Sequence, residues 1–415
     1  MKAVIAGGGI IGLSTAFYLN ESGWEVTVVD QGDLTDNCSY GNMGMIVPSH
    51  FVPLAAPGMV SKGIRWMLDS RSPFYVRPSL SPALIGWGLK FIKSANKDHV
   101  SRSARSLKDL NLLSRQLYEE WSAWPGFDFA LENKGIIMYY RSEKTAEEEV
   151  HLAGQAREMG LDAVVLNKDE LQKLEPDALP DVLGGVHYRC DAHLYPNKLM
   201  EQLKAVLATR GTHFITGTCV TGFIKEKERI TSVKTSGGEL KADIVVMANG
   251  SWLPRLATMA GLSIPLMPGK GYSITQKSPQ TLLNIPAILC EARVAITPMG
   301  GQMRYGGTME IGSITNNQVN MKRVQGIIRS VPSYFQNLKV AMPKKNEVWY
   351  GFRPCSPDGL PYIGRSPEIG NLYIGGGHAM MGLSLGPATG KVIAELVNGH
   401  TPSVDLSLFQ PGRFS

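Results

Sequence analysis

The stretch MKAVIAGGGIIGLSTAFYLNESGWEVTVVD, from Met1 to Asp30, limits the possible fold more than any other. Lys2 to Ala6 is a short apolar run that reads as a strand. Gly7, Gly9 and Gly12 follow with the spacing G-x-G-x-x-G. Ile10 to Leu19 carries helical patterning, and Glu25 to Val29 is a second β-rich run that stops at Asp30. Gly7 permits the tight turn off the strand, Gly9 lets a pyrophosphate reach the backbone, and Gly12 lets the helix lie close on the sheet. The helix N-terminus offers free N–H groups and the positive end of its dipole to phosphates. Asp30 can accept hydrogen bonds from the ribose hydroxyls of an adenosine half. The spacing alone is a weak signal; a strand before it, a helix after it and an acid about 20 residues on make it strong. The stretch predicts a dinucleotide site on a Rossmann-like unit and does not choose between NAD and FAD.

A chain of 415 residues has room for two domains. Its net charge of +6 is modest, and no basic block interleaved with aromatics occurs, so nucleic acid is not expected as a partner. The five cysteines, Cys38, Cys190, Cys219, Cys290 and Cys355, are dispersed and never form a C-x-x-C pair. That pattern predicts neither a disulfide framework nor a metal site and suits a reducing, cytoplasmic compartment. No secretory leader is expected ahead of the first strand, and no apolar run is long enough to span a bilayer.

Beyond Asp30, the loop holding Cys38, Ser39, Gly41, Asn42 and Gly44 has small side chains that leave backbone amides open to a ligand. Prolines at 53, 57, 73, 78 and 82 break up the next region. Helices are expected over 84–95 and 102–121. The first carries Trp87, Leu89, Phe91 and Ile92 beside Lys90 and Lys93, a pattern open to either core packing or a membrane surface. A strand over 135–140, helices over 142–160 and 166–176, and a strand over 184–188 follow. A helix over 196–209 precedes the strand HFITGT, and Val220 lies just after it. A hairpin turned at Gly237-Gly238 leads into the strand over 244–248, where Ala248, Asn249 and Gly250 end it with small residues. GYSITQ, AILCEARVAITP, MRYGGTMEIG and EVWYG read as alternating strands of a mostly antiparallel sheet, interrupted by a helix over 319–330. A short strand over 372–374, a glycine-studded loop over 375–386 and a helix from Pro387 close the pattern.

Three separated segments, GGGIIGLSTAFYL…VVD, ADIVVMANGSW and GFRP…PDGLPYIG…NLYIGGGHAMMGLSLGPATG, together resemble the FAD-dependent D-amino-acid oxidase superfamily. Within it, CSYGNMGMI, LAAPGM, KGYSIT and GFRPCSPDGLPYIG are most similar to bacterial D-amino-acid dehydrogenases. The resemblance covers nearly the whole chain and replaces the open choice of dinucleotide with FAD. It implies an α/β fold, α+β overall, with a Rossmann-like FAD-binding domain and a mostly antiparallel-sheet substrate domain. The FAD-binding domain would comprise 1–50, 191–264 and 351–415. The substrate domain would comprise 51–190, with a helical insertion over 80–125, and 265–350, its pocket drawn partly from 50–100.

The resemblance also implies site roles. Gly7, Gly9, Ile10, Ile11 and Gly12 would face the pyrophosphate, with Asp30 on the adenosine ribose and Gln31 also binding the cofactor. Ser39, Asn42, Met43 and Gly44 would hold the pyrophosphate and flavin edge. Val220 would present its backbone to the adenine, and Ala248 and Gly250 would border the cofactor. Gly377, His378, Met381, Gly382, Leu383 and Ser384 would wrap the flavin's pyrimidine end, where the N-terminus of the Pro387 helix would stabilise negative charge. Arg353 would clamp a substrate carboxylate with two parallel hydrogen bonds, its structural alternative being a pairing with an acid such as Asp358. Tyr272 could donate to the same carboxylate or be a buried aromatic of the sheet, and His378 is the candidate base, although the chemistry can proceed without one. His50, His187 and His193 have no strong claim, and a covalent flavin bond at Cys355 is not implied. The implied activity is oxidative deamination of a D-amino acid, including D-proline or a hydroxy-D-proline, with electrons passing to a quinone or carrier. An oxygen-using glycine or sarcosine oxidase and a non-catalytic FAD-binding subunit are the alternatives. Peripheral contact with the inner face of the cell membrane and the oligomeric state stay open.

Overall fold

The computed structural model describes residues 1–59, 73–77 and 81–414. Residues 60–72 and Pro78, part of the stretch expected to help form the pocket, lie outside the described residues.

The opening stretch forms the strand Lys2–Ala6, the helix Ile10–Glu21 and the strand Glu25–Val29. Lys2–Ala6 lies inside a six-stranded sheet of order Tyr362–Arg365, Leu372–Gly376, Ile244–Met247, Lys2–Ala6, Glu25–Val29, His213–Ile215. Neighbours run parallel except the first pair, an antiparallel hairpin. Strands covered on both faces need continuous apolar runs, and Ala3, Val4, Ile5 and Ala6 are all 2% exposed or less. On one face the helix Ile10–Glu21 packs tightly on the helix Gly386–Val397. A Cβ on Gly390 would sit 2.4 Å from the Ser14 backbone, so only glycine allows that approach.

The other face is covered by an antiparallel meander, Val220–Glu226, Arg229–Thr235 and Gly238–Lys241. Its Ile230 and Val233 share an apolar cluster with Val4 and Val245. The turn at Gly237-Gly238 is where the sequence predicts it. The first strand is not: Val220 opens a strand that the half-buried, glycine-interrupted VTGFIKE does not announce.

Among the described residues the second sheet has nine strands. Eight run in the order Trp349–Cys355, Met267–Gln276, Gln302–Ile311, Val294–Met299, Ala287–Leu289, Ile136–Tyr140, Gly184–Tyr188, Ala163–Asn167, and Phe74–Val76 adds to Gln302–Ile311. Among the described residues, only Ala287–Leu289 with Ile136–Tyr140, and Phe74–Val76 with its neighbour, pair in parallel. The chain leaves this sheet after Cys355, beyond the expected boundary at 350. The helix Met321–Tyr334 covers one face through Val324, Ile327 and Val331. The opposite face meets the loop that follows Asp30. A Cβ on Gly306 would lie 2.2 Å from Met43 Sδ, whereas one on Gly307 would point at Ile327 of the covering helix. Alternation along the strand thus gives the sheet a core face and a cavity face.

Candidate active site

A cavity of about 1020 Å³ runs between the two sheets, from Asp30 to Arg353. The strand Lys2–Ala6 ends at Gly7, whose φ of +112° only glycine adopts readily. Gly9 caps the helix Ile10–Glu21 without a side chain, and no atom comes nearer than 3.5 Å to where its Cβ would be. The Ile10 N–H donates to Ser39 Oγ at 2.9 Å. The N–H groups of Gly9 and Ile11 have no protein partner among the described residues and border the cavity. Asp30 accepts from the N–H of Gly8 and of Gly32, both at 2.7 Å. It therefore fixes both backbone turns while still facing the cavity beside Gln31 and Val220.

At the opposite wall, Met381, Gly382, Leu383 and Ser384 line the space. The N–H groups of Gly382, Leu383 and Ser384 have no protein partner among the described residues. Consecutive unpaired N–H groups in a buried loop call for an external acceptor. Ser384 Oγ is fully used, accepting from Val47 N–H at 3.0 Å and donating to Asn111 Oδ1 at 2.8 Å. Between the two walls, Met43, Met45, Val47, Ile288, Ala295 and Met381 share one apolar cluster. Ala248 and Gly250 also border the cavity, next to Asn249, whose buried Oδ1 lacks a partner. Free amides at both ends, an apolar midsection and an orphaned amide oxygen fit a long dinucleotide with an aromatic ring, as FAD is.

Three expected cofactor residues do not line the cavity: Gly12, Gly44 and Gly377. Each is a packing glycine instead. A Cβ on Gly12 would lie 1.9 Å from Gly7 O, one on Gly44 2.2 Å from Leu194 O, and one on Gly377 2.7 Å from the Tyr362 ring. Asn42 lines the cavity but spends its Oδ1 on the Gly44 N–H, at 2.9 Å.

Arg353 stands on the cavity face of the antiparallel sheet. Its guanidinium lies flat over Gly271, where a Cβ would be 2.2 Å from Nη1. Nη1 donates to the carbonyl of Thr308. Among the described residues no carboxylate pairs with it. Asp358, its alternative partner on sequence grounds, is held by Arg413 at 2.7 and 3.0 Å. Burial pushes the Arg353 guanidinium below its ordinary value. A half-buried, partly desolvated cation without a counter-ion is costly until an anion arrives. Thr308 is itself unusual: a β-branched residue at φ +64° with a buried, unpaired hydroxyl.

Two expected catalytic residues are corrected. Tyr272 borders the cavity, but it follows Gly271 and so points to the opposite face of the strand from Arg353. Its hydroxyl donates to Glu310 at 2.6 Å and accepts the Asn320 N–H at 3.2 Å, leaving no proton for a substrate. His378 also borders the cavity, yet its Nε2 is bonded to Thr389 Oγ1 at 3.0 Å, and burial pushes its pKa down to about 3. It ties the loop to the helix Gly386–Val397, and with no carboxylate bonded to Thr389 among the described residues to take a proton onward, it is a poor base. Cys355 is fully buried and its thiol does not reach the cavity.

Two residues escaped the sequence reading. Arg304 donates to the carbonyls of Tyr40 and Asn42 at 2.9 and 2.6 Å, to Asn197 Oδ1 at 3.0 Å and to Thr275 Oγ1 at 3.0 Å, stapling the loop to the second sheet. Trp349 lies over Gly41 and Gly351 and donates to Asp36 Oδ1 at 2.8 Å. Glycines spaced by two, as at Gly269 and Gly271, bare one face of a strand and were the available signal for the arginine's seat.

Among the described residues no group of side chains could hold a metal ion. Residues 2–396 match the family described as DAO, FAD dependent oxidoreductase. A D-amino acid dehydrogenase of Methylobacterium nodulans is 31% identical, covering 97% of this chain and 97% of its own. One from Granulibacter bethesdensis is 29% identical, covering 98% and 97%. Among solved structures, glycine oxidase from Geobacillus kaustophilus shares the fold with a TM-score of 0.77 at 24% identity, covering 100% of this chain and 98% of its own. L-proline dehydrogenase from P. horikoshii also gives 0.77, at 19% identity, covering 100% and 97%. The chain belongs to the DAO family of FAD-dependent oxidoreductases.

Proposed function

We propose that this enzyme oxidises D-amino acids to imino acids, which water converts to 2-oxo acids and ammonia. A cyclic amine such as D-proline or a hydroxy-D-proline would stop at the cyclic imine. The observation that carries the reading is Arg353, a half-buried cation with no carboxylate partner among the described residues, on the wall of a cavity fitted to FAD. The substrate's carboxylate supplies the missing counter-ion and is oriented by the planar guanidinium. FAD, when bound, supplies the two-electron acceptor. The chain's own part is to fix the α-carbon next to it, which contributes through proximity and alignment, and to hold negative charge at the free N–H groups of Gly382, Leu383 and Ser384. Handedness follows the names of the relatives.

Electrons then pass to a quinone or other carrier. On the helix Pro82–Ser94, Ile85, Leu89 and Ile92 are 50%, 65% and 56% exposed while Trp87 is buried. With Lys90 and Lys93 beside them, this ridge supports contact with an anionic membrane surface. No helix among the described residues is long and apolar enough to cross a membrane.

The test is anaerobic bleaching of the purified yellow protein by a panel of D- and L-amino acids that includes prolines. Bleaching by D-amino acids is the expected result; bleaching by none contradicts the reading. Rapid reoxidation by oxygen alone, with peroxide formed, would replace the dehydrogenase reading with an oxidase.

A further inference from the structure

A polar chain leads away from the cavity wall at His50 and takes no part in the chemistry above. The strands Met45–Ile46 and Ala192–His193 pair antiparallel, which carries Asp191 alongside Ser49. Asp191 is fully buried, at 0% exposure. One of its oxygens accepts the Ser49 N–H at 3.0 Å, and the other lies 2.5 Å from the Ser49 hydroxyl. The Ser49 oxygen is 3.1 Å from Nδ1 of His50. His50 lines the cavity, and its Nε2 has no protein partner among the described residues.

The position of His50 along the cavity follows from its backbone. Its N–H donates to the Val47 carbonyl at 3.0 Å, and the Val47 N–H donates to Ser384 Oγ at 3.0 Å, while Val47 packs with Met381. His50 therefore lies beside the Met381–Ser384 wall and not at the phosphate end, with Arg293 as the charged group acting on its ring. Arg115, Tyr188 and the Cys190 thiol are the titratable groups around Asp191.

A hydroxyl has one proton. With that proton directed at Asp191, the Ser49 oxygen can only accept, so Nδ1 of His50 carries the ring proton and Nε2 presents its lone pair to the cavity. We propose that His50 is the catalytic base that takes a proton from the substrate's ammonium group, with Ser49 and Asp191 as its relay. The inference rests on the amino-acid oxidation reading above. In the step, an N–H bond of the ammonium breaks and its electron pair stays on nitrogen. The proton bonds to Nε2, the Nδ1 proton moves to the Ser49 oxygen, and the Ser49 proton moves to Asp191. One proton passes from substrate to Asp191 and no electron changes hands. The freed nitrogen lone pair then assists departure of the α-hydrogen with its bonding pair. Burial holds the ring neutral, with a pKa down to about 4, so His50 does not keep the proton and acts as a base only by passing it on to Asp191, which burial pushes up to about 7.

The decisive experiment uses the full-length FAD-loaded protein. The rate of anaerobic flavin bleaching by a D-amino acid is followed between about pH 6 and 10 in the wild type, His50→Asn and Asp191→Asn. The wild-type rate should level off above neutrality. Both variants should lose about 100-fold at neutral pH and recover as the substrate becomes deprotonated in solution. A loss equal at every pH, or an unmoved inflection, overturns the relay and leaves the oxidation reading standing. Nitrogen-15 NMR of labelled histidines gives a second readout, with the His50 signal assigned by its absence in His50→Asn. A proton on Nδ1 is expected, and a proton on Nε2 overturns the proposal. A wild-type flavin that no amino acid bleaches would overturn both readings together.

Discussion

The two ends of the cavity are built from different materials. At the dinucleotide end the contacts are backbone: free N–H groups at Gly9 and Ile11, a glycine turn at φ +112°, and an aspartate whose carboxylate is spent on neighbouring amides. At the Arg353 end the charge comes from a side chain, the guanidinium of Arg353, seated by the Thr308 carbonyl of another strand. A backbone site depends on a local run of small residues, so spacing reveals it. A side-chain site depends on register between strands distant in sequence, and a local pattern does not reveal it.

The sharpest way to break the contrast is to put a side chain where the backbone should be bare. The protein itself has room for a Cβ on Gly9, with nothing closer than 3.5 Å. Gly9→Asp should therefore fold, yet it sets a carboxylate against the phosphates at a helix N-terminus. We expect colourless protein with near-native circular dichroism; a yellow variant would mean the phosphates bind elsewhere.

Next in size is Arg353→Ala. It should keep FAD and lose about 100-fold or more in kcat/KM, because a buried charge pair contributes about 2–5 kcal/mol when one partner is truncated. Unchanged saturation would remove the carboxylate clamp. Smaller still is Tyr272→Phe. Its hydroxyl bonds Glu310 on the other face of the strand, so kinetics should be unaltered while urea melts show a loss of about 1 kcal/mol. A rise in KM would return Tyr272 to the site. The smallest effect concerns the surface: Leu89→Glu should weaken co-sedimentation with anionic vesicles without touching anaerobic bleaching. Equal sedimentation of variant and wild type would leave the exposed ridge without that role.

The same contrast explains what could be read in advance. The opening unit, the alternating strands from GYSITQ onward and the two helices between 82 and 122 were legible because each repeats its own period. The two-residue pairing of Met45–Ile46 with Ala192–His193 carries no period at all, and VTGFIKE alternates only weakly between buried and exposed positions. In the site, the GFRP motif singled out Arg353, which stands on the cavity wall, while Tyr272 turns to the other face of its strand because motif proximity ignores strand parity. His50 gave no signal, since its meaning comes from Asp191, which meets Ser49 across 142 positions of sequence. Gly12, Gly44 and Gly377 belonged to the right segments but serve packing, a distinction that only the space around each Cβ reveals.

The central claim is that Arg353 waits for a carboxylate next to the flavin. Its most direct test is anaerobic bleaching of the wild-type flavoprotein by a D-amino acid and by the carboxamide of the same amino acid. The account expects saturable bleaching by the acid and a rate for the amide as poor as that of Arg353→Ala with the acid. Equal bleaching by acid and amide would contradict it.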